Sequence, residues 1–460
     1  MRIVIFILLL AQTSLAQKVL NPQEYFNLIL LNHPIAKQAA LLPEMGNATI
    51  LKARGSFDPK VFQETSQKYY NSSQYFSLLN SGLKIPTWYG LEVKAGLQEG
   101  RGANLDAQWD TPENGLAYAG ASLPLGKGLL IDQRRADLRK AKLYQTLTIA
   151  EQRLQLNNLL LESGKAYWDW FYYANAEKIM QEALAVADQR LQAVKRTVEL
   201  GDRAGIDTVE ASIQVQNRKS MYEQFRLERK NAQLVVSSFL WNENLVPLEL
   251  SDSLVSLAHE SLLVNNTSTS ERIWKDSSLL NHPYLQVSAL KIEQLKVDRQ
   301  LKREYLKPEL NVHYNLVSEP INQNPAANLS IENYKWGLEF SMPLLLRKER
   351  GDLKLSNLKL QEAELGYEQN KIQLGMKITA SLNEWENSAL QSTIMAQMAL
   401  DSKQLLEAER TMFDNGESSL FLINAREVAY LQAVIKKIET QSKNQKSVLE
   451  TNFYMNRFVR

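Results

Sequence analysis

The sequence predicts a mainly α-helical chain with a β-barrel part, built twice over, in which long coiled-coil helices continue from transmembrane β-hairpins. Three observations predict it. The N-terminus reads as an export signal, and no later stretch is apolar enough to cross a membrane as a helix. The chain repeats itself in order. Each repeat pairs short segments of period-two polarity with one helix too long for a globular core.

In the signal, Arg2 is the basic residue, Ile3 to Leu10 the apolar run and Ser14-Leu15-Ala16 a small-x-small cleavage site. The mature chain is therefore expected to begin at Gln17, after a signal peptide of residues 1–16. Charged residues make up 23% and the formal net charge is +2, so no electrostatic footprint points to nucleic acid. There is no cysteine, hence neither a disulfide framework nor the acylated cysteine of a lipoprotein. An exported chain without a spanning helix is either soluble or crosses a membrane as a barrel. Only helices and closed barrels satisfy their own backbone groups in lipid.

The repeat is visible in matched motifs. Leu31-Asn32-His33-Pro34 recurs as Leu280-Asn281-His282-Pro283, an offset of 249, and Pro59 recurs at that offset as Pro308. Ser122-Leu123-Pro124-Leu125 matches Ser341-Met342-Pro343-Leu344 at 219. Arg135-Ala136-Asp137-Leu138 matches Arg350-Gly351-Asp352-Leu353 at 215, an offset that then carries Trp170 onto Trp385 and Gly201 onto Gly416. The first repeat (17–262) thus holds 30 more residues than the second (269–460) between Pro59 and Pro124, and four more just after.

Each repeat opens with a short helix ending at the Asn-His-Pro turn, capped by Asn21-Pro22 in the first copy and by Ser270 in the second. Helices follow over 34–54 and 283–305, stopping before Pro59 and Pro308. Next come strand-like segments. In 310–316 and 334–342 apolar and polar residues alternate, with polar Ser318 to Asn333 between them as a loop. In the first copy the hairpin region is about 59–124, with 90–97 and 116–124 the better strands. Lys60 to Tyr70 is extended but poorly alternating, and reads as barrel strand, edge or surface loop. Long helices span 135–201 and 350–416, each 67 residues or roughly 100 Å at about 1.5 Å per residue. Their apolar positions, such as Leu147, Leu154, Leu161, Ala187, Leu191, Val194 and Val198, have coiled-coil spacing. Return helices are expected over 206–241 and 420–456. Asn242 to Ser268 links the halves as an equatorial belt or a flexible linker. The Trp168, Trp170, Phe171, Tyr172 and Tyr173 cluster, with Trp385, is expected to pack against that belt.

About four transmembrane strands cannot close a barrel, which needs about eight, so the chain must oligomerise. Three copies would give twelve strands. The duplicated layout resembles the TolC family of outer-membrane efflux proteins over nearly the whole mature chain. The residues that carry the resemblance are the paired Asn-His-Pro turns, the Leu123-Pro124-Leu125 and Met342-Pro343-Leu344 junctions and the segments 201–211 and 416–425. The resemblance implies a homotrimer in the outer membrane that reaches into the periplasm. It implies docking to a periplasmic adaptor (membrane fusion) protein and, through it, to an inner-membrane RND or ABC pump. The expected function is a passive duct exporting drugs, small molecules or secreted polypeptides from a tripartite efflux or type I secretion system. The alternative is an exported coiled-coil structural or adaptor protein without a barrel.

No catalytic constellation, cofactor loop or metal-ligand spacing is present in the sequence, and His33 and His282 are repeat copies suited to a structural place at their turns. The candidate functional residues lie at the two turns. Asp207 and Glu210 stand three apart on one helix face, where copies brought together would form acidic rings favouring cations and a divalent ion. Acids there also serve simply to stabilise the helix N-terminus. The second turn carries Leu420, Phe421, Leu422 and Asn424 instead, which suggests an apolar constriction with Leu422 and Asn424 as gate residues. Gly201, Asp202, Arg203, Gly416, Glu417, Ser418 and Ser419 are candidate tip or adaptor contacts.

Overall fold

The computed structural model describes residues 18–202, 204–250, 254–262, 279, 281–320, 324, 326 and 329–458. The expected signal peptide, Arg203, the Ser270 cap with its short helix, and parts of the 242–268 link lie outside these residues. In chain order the elements are β1 (Lys18–Val19), α1 (Pro22–Asn32), α2 (Pro34–Arg54), β2 (Lys60–Tyr70), β3 (Ser73–Pro86), β4 (Glu92–Arg101) and β5 (Leu116–Pro124). Then follow α3 (Gln133–Glu199), α4 (Gly205–Ser238), β6 (Leu254–Val255), α5 (Pro283–Glu304), β7 (Glu309–Ser318), β8 (Tyr334–Ser341), α6 (Arg347–Asp414) and α7 (Leu420–Tyr454). Asn21 caps α1 as expected, its side chain accepting from the Gln23 amide at 3.2 Å, with Pro22 in the first turn. Among the described residues no helix is long and apolar enough to cross a membrane.

The described chain forms two compact units, and neither coincides with a sequence repeat. One gathers the residues up to Ala39, Arg153–His282 and Ile372 onward, and the other Ala40–Gln152 with Pro283–Lys371. The first unit is helical. Its core joins Tyr25 and Ile29 of α1, Tyr167, Trp168, Trp170 and Phe171 of α3, Val236 of α4 and Val434, Ile438 and Phe453 of α7. The link segment packs on this core through Leu250, Leu257 and Leu262. It is tied there by hydrogen bonds: Asn175 Nδ2 donates to the Leu257 carbonyl at 3.0 Å and Gln441 Nε2 to the His259 carbonyl at 3.2 Å. β1 adds to it by pairing in parallel with β6. Trp168, Trp170 and Phe171 thus share one buried cluster with the link's Leu250, and Trp385 is buried too. His33 and His282 hold turns. His33 Nδ1 accepts from the Ile35 amide at 3.1 Å, and His282 Nε2 lies 3.3 Å from the Phe453 carbonyl.

The second unit holds a single antiparallel sheet in the order β2-β3-β4-β5-β7-β8. That is six strands, where the sequence reading expected about four. The two strands beyond that expectation are β2, on the undecided segment, and β3; the 30 extra residues of the first repeat make room for β3 and β4 as a hairpin in the plane of the sheet. β3 was hidden because Leu78 and Leu79 are adjacent, which breaks the period-two pattern that marks a strand. The undecided segment Lys60–Tyr70 is the outermost strand, paired along its length with β3.

Strand pairing sorts the side chains onto two faces. One aligned row is Val61, Leu83, Ala95, Ala119, Leu316 and Tyr334. On the same face the next rows hold Ile85, Val93, Ala121, Tyr314 and Trp336, then Leu123, Val312 and Leu338. These rows form an apolar band that reaches all six strands, yet Val61, Ile85, Val93, Tyr314, Trp336, Leu338 and Phe340 are exposed. Beyond the band the same face turns mixed, with Gln63, Ser81 and Ser318 in one row and Thr65 and Glu99 in the next. The opposite face is polar and carries Glu64, Asn80, Gln98, Glu92, His313, Asn311, Asn315 and Glu339. There Gly96 leaves room for Tyr118, whose hydroxyl lies 2.7 Å from where a Cβ would stand and donates to Asn80 Oδ1 at 3.0 Å. The tyrosine ring covers a position at which any side chain would collide with the neighbouring strand.

Candidate functional site

The turn end of the helical unit is built by four helix termini. α3 and α6 stop on the same device. At the end of α3, Gly201 has φ +82° and its amide donates to the Val198 carbonyl at 3.0 Å, while Asp202 donates to Thr197 at 3.0 Å. At the end of α6, Gly416 has φ +78°, donating to Phe413 at 3.0 Å, and Glu417 donates to Met412 at 2.9 Å. This is a glycine-closed helix end in which a left-handed residue satisfies the last carbonyls. Both glycines face open space, so backbone conformation and not packing demands them. α7 then starts on Ser419, whose side chain accepts from the Leu422 amide at 3.3 Å. Ser418 donates to Glu409 of α6, and Glu409 also pairs with Arg426 at 3.6 Å.

A small apolar core seals the turns: Leu191 and Val194 of α3, Ala211 of α4 and Leu420 of α7, with Val198, Val215 and Phe413 against them. Above it lies a buried ion network. Glu427 of α7 accepts from Arg190 of α3 at 2.5 Å and from Arg218 of α4 at 3.0 Å, and Arg410 of α6 approaches it at 3.5 Å. The carboxylate and Arg218 are 5% and 3% exposed, Arg190 18% and Arg410 45%. Burial alone would raise the Glu427 pKa. The hydrogen bond from Arg190 and the charges of Arg218 and Arg190 outweigh that and hold the carboxyl below its ordinary value. Arg190 also donates to Asn424 Oδ1 at 3.0 Å, and Asn424 Nδ2 donates to Glu210 Oε1 at 2.9 Å. One residue from each of four helices therefore meets at Glu427, and the chain of contacts ends on an acid of the first turn.

The expected site residues are placed unevenly. Asp207 and Glu210 share the opening turns of α4, half-buried, with Glu210 held by Asn424. Asn424 is buried and bridges Arg190 to Glu210. Leu422 is exposed beside Phe421, but Leu420 is not part of an open apolar constriction: it is buried in the turn core. Gly201, Asp202, Gly416, Glu417 and Ser419 are exposed and Ser418 half-buried. Arg190, Arg218, Arg410 and Glu427 were not anticipated. The signal was present: Leu420, Ile423, Glu427, Val434 and Ile438 share one helical stripe, so a charge interrupts a buried seam.

No protein-family model matches the sequence, and no curated protein does. Solved structures do match. The CmeC outer membrane channel of Campylobacter jejuni aligns with a TM-score of 0.66 at 14% identity, covering 95% of this chain and 87% of that one. The open state of the MtrE outer membrane channel of Neisseria gonorrhoeae gives 0.68 at 14% identity, with 94% and 88% covered. The outer membrane protein VceC of Vibrio cholerae gives 0.64 at 11% identity, with 94% and 95% covered.

Proposed function

We propose that this chain, which has the fold of the TolC family of outer-membrane channels, is one protomer of a homotrimeric export duct in the outer membrane. The observation that carries the reading is the sheet. A sheet with one exposed apolar face, one polar face and two outer strands each paired on one side only is a segment of a barrel wall. Lipid covers the first face and a water-filled lumen the second. β2 and β8 run antiparallel, so the β8 edge of one copy meets the β2 edge of the next in the ladder geometry used within the sheet. Three sheets of six strands make an 18-stranded wall, in the range of barrels that leave an aqueous channel.

The helices support the same reading. Along α6 the exposed Leu358, Leu365, Ile372, Met376, Leu390 and Ile394 follow coiled-coil spacing and are left uncovered by the described residues. Neighbouring copies cover such a seam and complete a periplasmic tunnel. The Glu427 network closes its turn end, and Asp207 and Glu210, tripled, favour cations at that entrance. Gly201, Asp202, Gly416, Glu417, Ser418 and Ser419 offer contacts to a periplasmic adaptor. The energy and the choice of cargo then belong to an inner-membrane pump of the RND or ABC type. Carbonate washing of membranes tests the reading. The chain is expected to stay in the membrane fraction and to cross-link as three copies; release by carbonate or salt supports the barrel-free coiled-coil protein instead.

A further inference from the structure

The polar face of the sheet carries a feature that the general two-faced pattern does not require. The aligned row Lys60–Lys84–Lys94–Gly120–Asn315–Lys335 crosses all six strands, and four of its residues are lysines. Three of them stand side by side on neighbouring strands, about 4.8 Å apart from one strand to the next. Like charges directly opposite in a sheet repel. Lys94 is relieved by Glu92 at 3.2 Å, and Glu92 is shared with Arg134 at 3.8 Å. Lys60, Lys84 and Lys335 have no carboxylate partner among the described residues. The Lys84 ammonium lies over the Phe62 ring at 4.6 Å and that of Lys335 over the Trp109 ring at 5.2 Å, contacts that preserve the positive charge. The other acids of this face lie in other rows: Glu64 beyond the row, and Glu339 and Glu309 toward the helix end of the strands, where Glu339 is 3.7 Å from His313 and Glu309 3.8 Å from Lys127. Lys60 and Lys335 lie on the two outer strands, so the row extends to both edges of the sheet.

We propose that this row is an anion-binding girdle of the barrel lumen, formed by Lys60, Lys84, Lys94 and Lys335 and suited to polyvalent oxyanions such as phosphates. The proposal rests on the export-duct reading. The inserted β3–β4 hairpin supplies two of the four lysines, so the extra strands add charge as well as width. A bound phosphate chain bridges several ammonium groups at strand spacing and removes the repulsion that the sheet otherwise holds. The girdle and the tip acids oppose each other in a permeability ratio, which sums over the whole duct. A sided measurement separates them.

The test is planar-bilayer recording of the full chain with inorganic triphosphate added to one side at a time. Block is expected from the barrel side. It weakens as salt rises from 0.1 M to 1 M, because the screening length drops from about 10 Å to about 3 Å. Changing Lys60, Lys84 and Lys335 together to Gln is expected to raise the blocking concentration at least about tenfold, and changing the three to Arg to leave it near the wild-type value. Conducting wild-type channels that triphosphate does not block from the barrel side, or an Arg variant as insensitive as the Gln variant, would overturn the girdle while leaving the duct intact. Absence of any conductance steps in the wild type would overturn the duct reading, and the girdle with it.

Discussion

Replacing Glu427 with Gln keeps the side chain's volume and removes its charge. Arg218, 3% exposed, is then left buried with no counter-ion, whereas Arg190 and Arg410 are exposed enough to recover water. Breaking a buried pair from one side costs about 3–5 kcal/mol, and the retained amide oxygen and the two hydrated arginines place this case near about 3 kcal/mol. That corresponds to roughly a hundredfold change in a local opening equilibrium. Amide hydrogen exchange on the intact protein reads it: protection over 206–215 and 420–430 should fall by about two decades, while 167–171 in the aromatic core keeps its rate. Removing both buried charges, with Arg218→Leu and Glu427→Leu, should restore protection to within about tenfold, since a buried pair exchanged for apolar residues is often neutral. Protection at the turns within about threefold of wild type in Glu427→Gln, or a double variant worse than the single, would refute a clamp built on the Glu427–Arg218 pair.

Three further expectations concern the turns, the sheet faces and acid. Gly201→Ala and Gly416→Ala should each destabilise the turn end by about 1–2 kcal/mol through left-handed strain alone, measurable by urea unfolding, because no neighbour lies in reach of a Cβ. Leu338→Arg on the apolar face should cost about 2–4 kcal/mol and deplete the membrane-assembled fraction, whereas Glu339→Gln one residue on should leave assembly within about 0.5 kcal/mol. Burial lowers the pKa of both His33 and His282, so the folded chain binds their protons less readily than the unfolded one. Their contribution is full above about pH 6.5 and is lost as pH falls below it; that of Glu427, also lowered, is full above about pH 4.5 and lost beneath it. Melting temperature should therefore step down twice on acidification, and His282→Asn should shrink the upper step.

Much of this fold was legible because its punctuation is strong. Long proline-free stretches ending on Gly201 and Gly416 define α3 and α6, and the matched Asn-His-Pro turns align the repeats. The strands of the second repeat alternate cleanly. β3 does not, since the adjacent Leu78 and Leu79 break its period, and only pairing with β2 and β4 reveals it. At the turn end the glycines and acids were readable from local pattern. The buried network was readable only by half: the stripe exposes Glu427 as anomalous, but nothing local says that its partners are Arg190, Arg218 and Arg410 on three other helices. The lysine row belongs to the same class, because only register makes neighbours of Lys60, Lys84 and Lys94 and brings Lys335 into their row.

The central claim is that copies of this chain close their sheets into a water-filled pore. Single-channel recording of the purified full chain, taken from its cross-linkable oligomer, tests it most directly. Stable conductance steps from particles containing three copies are the predicted result; three-copy particles that insert into the bilayer without conducting would contradict it.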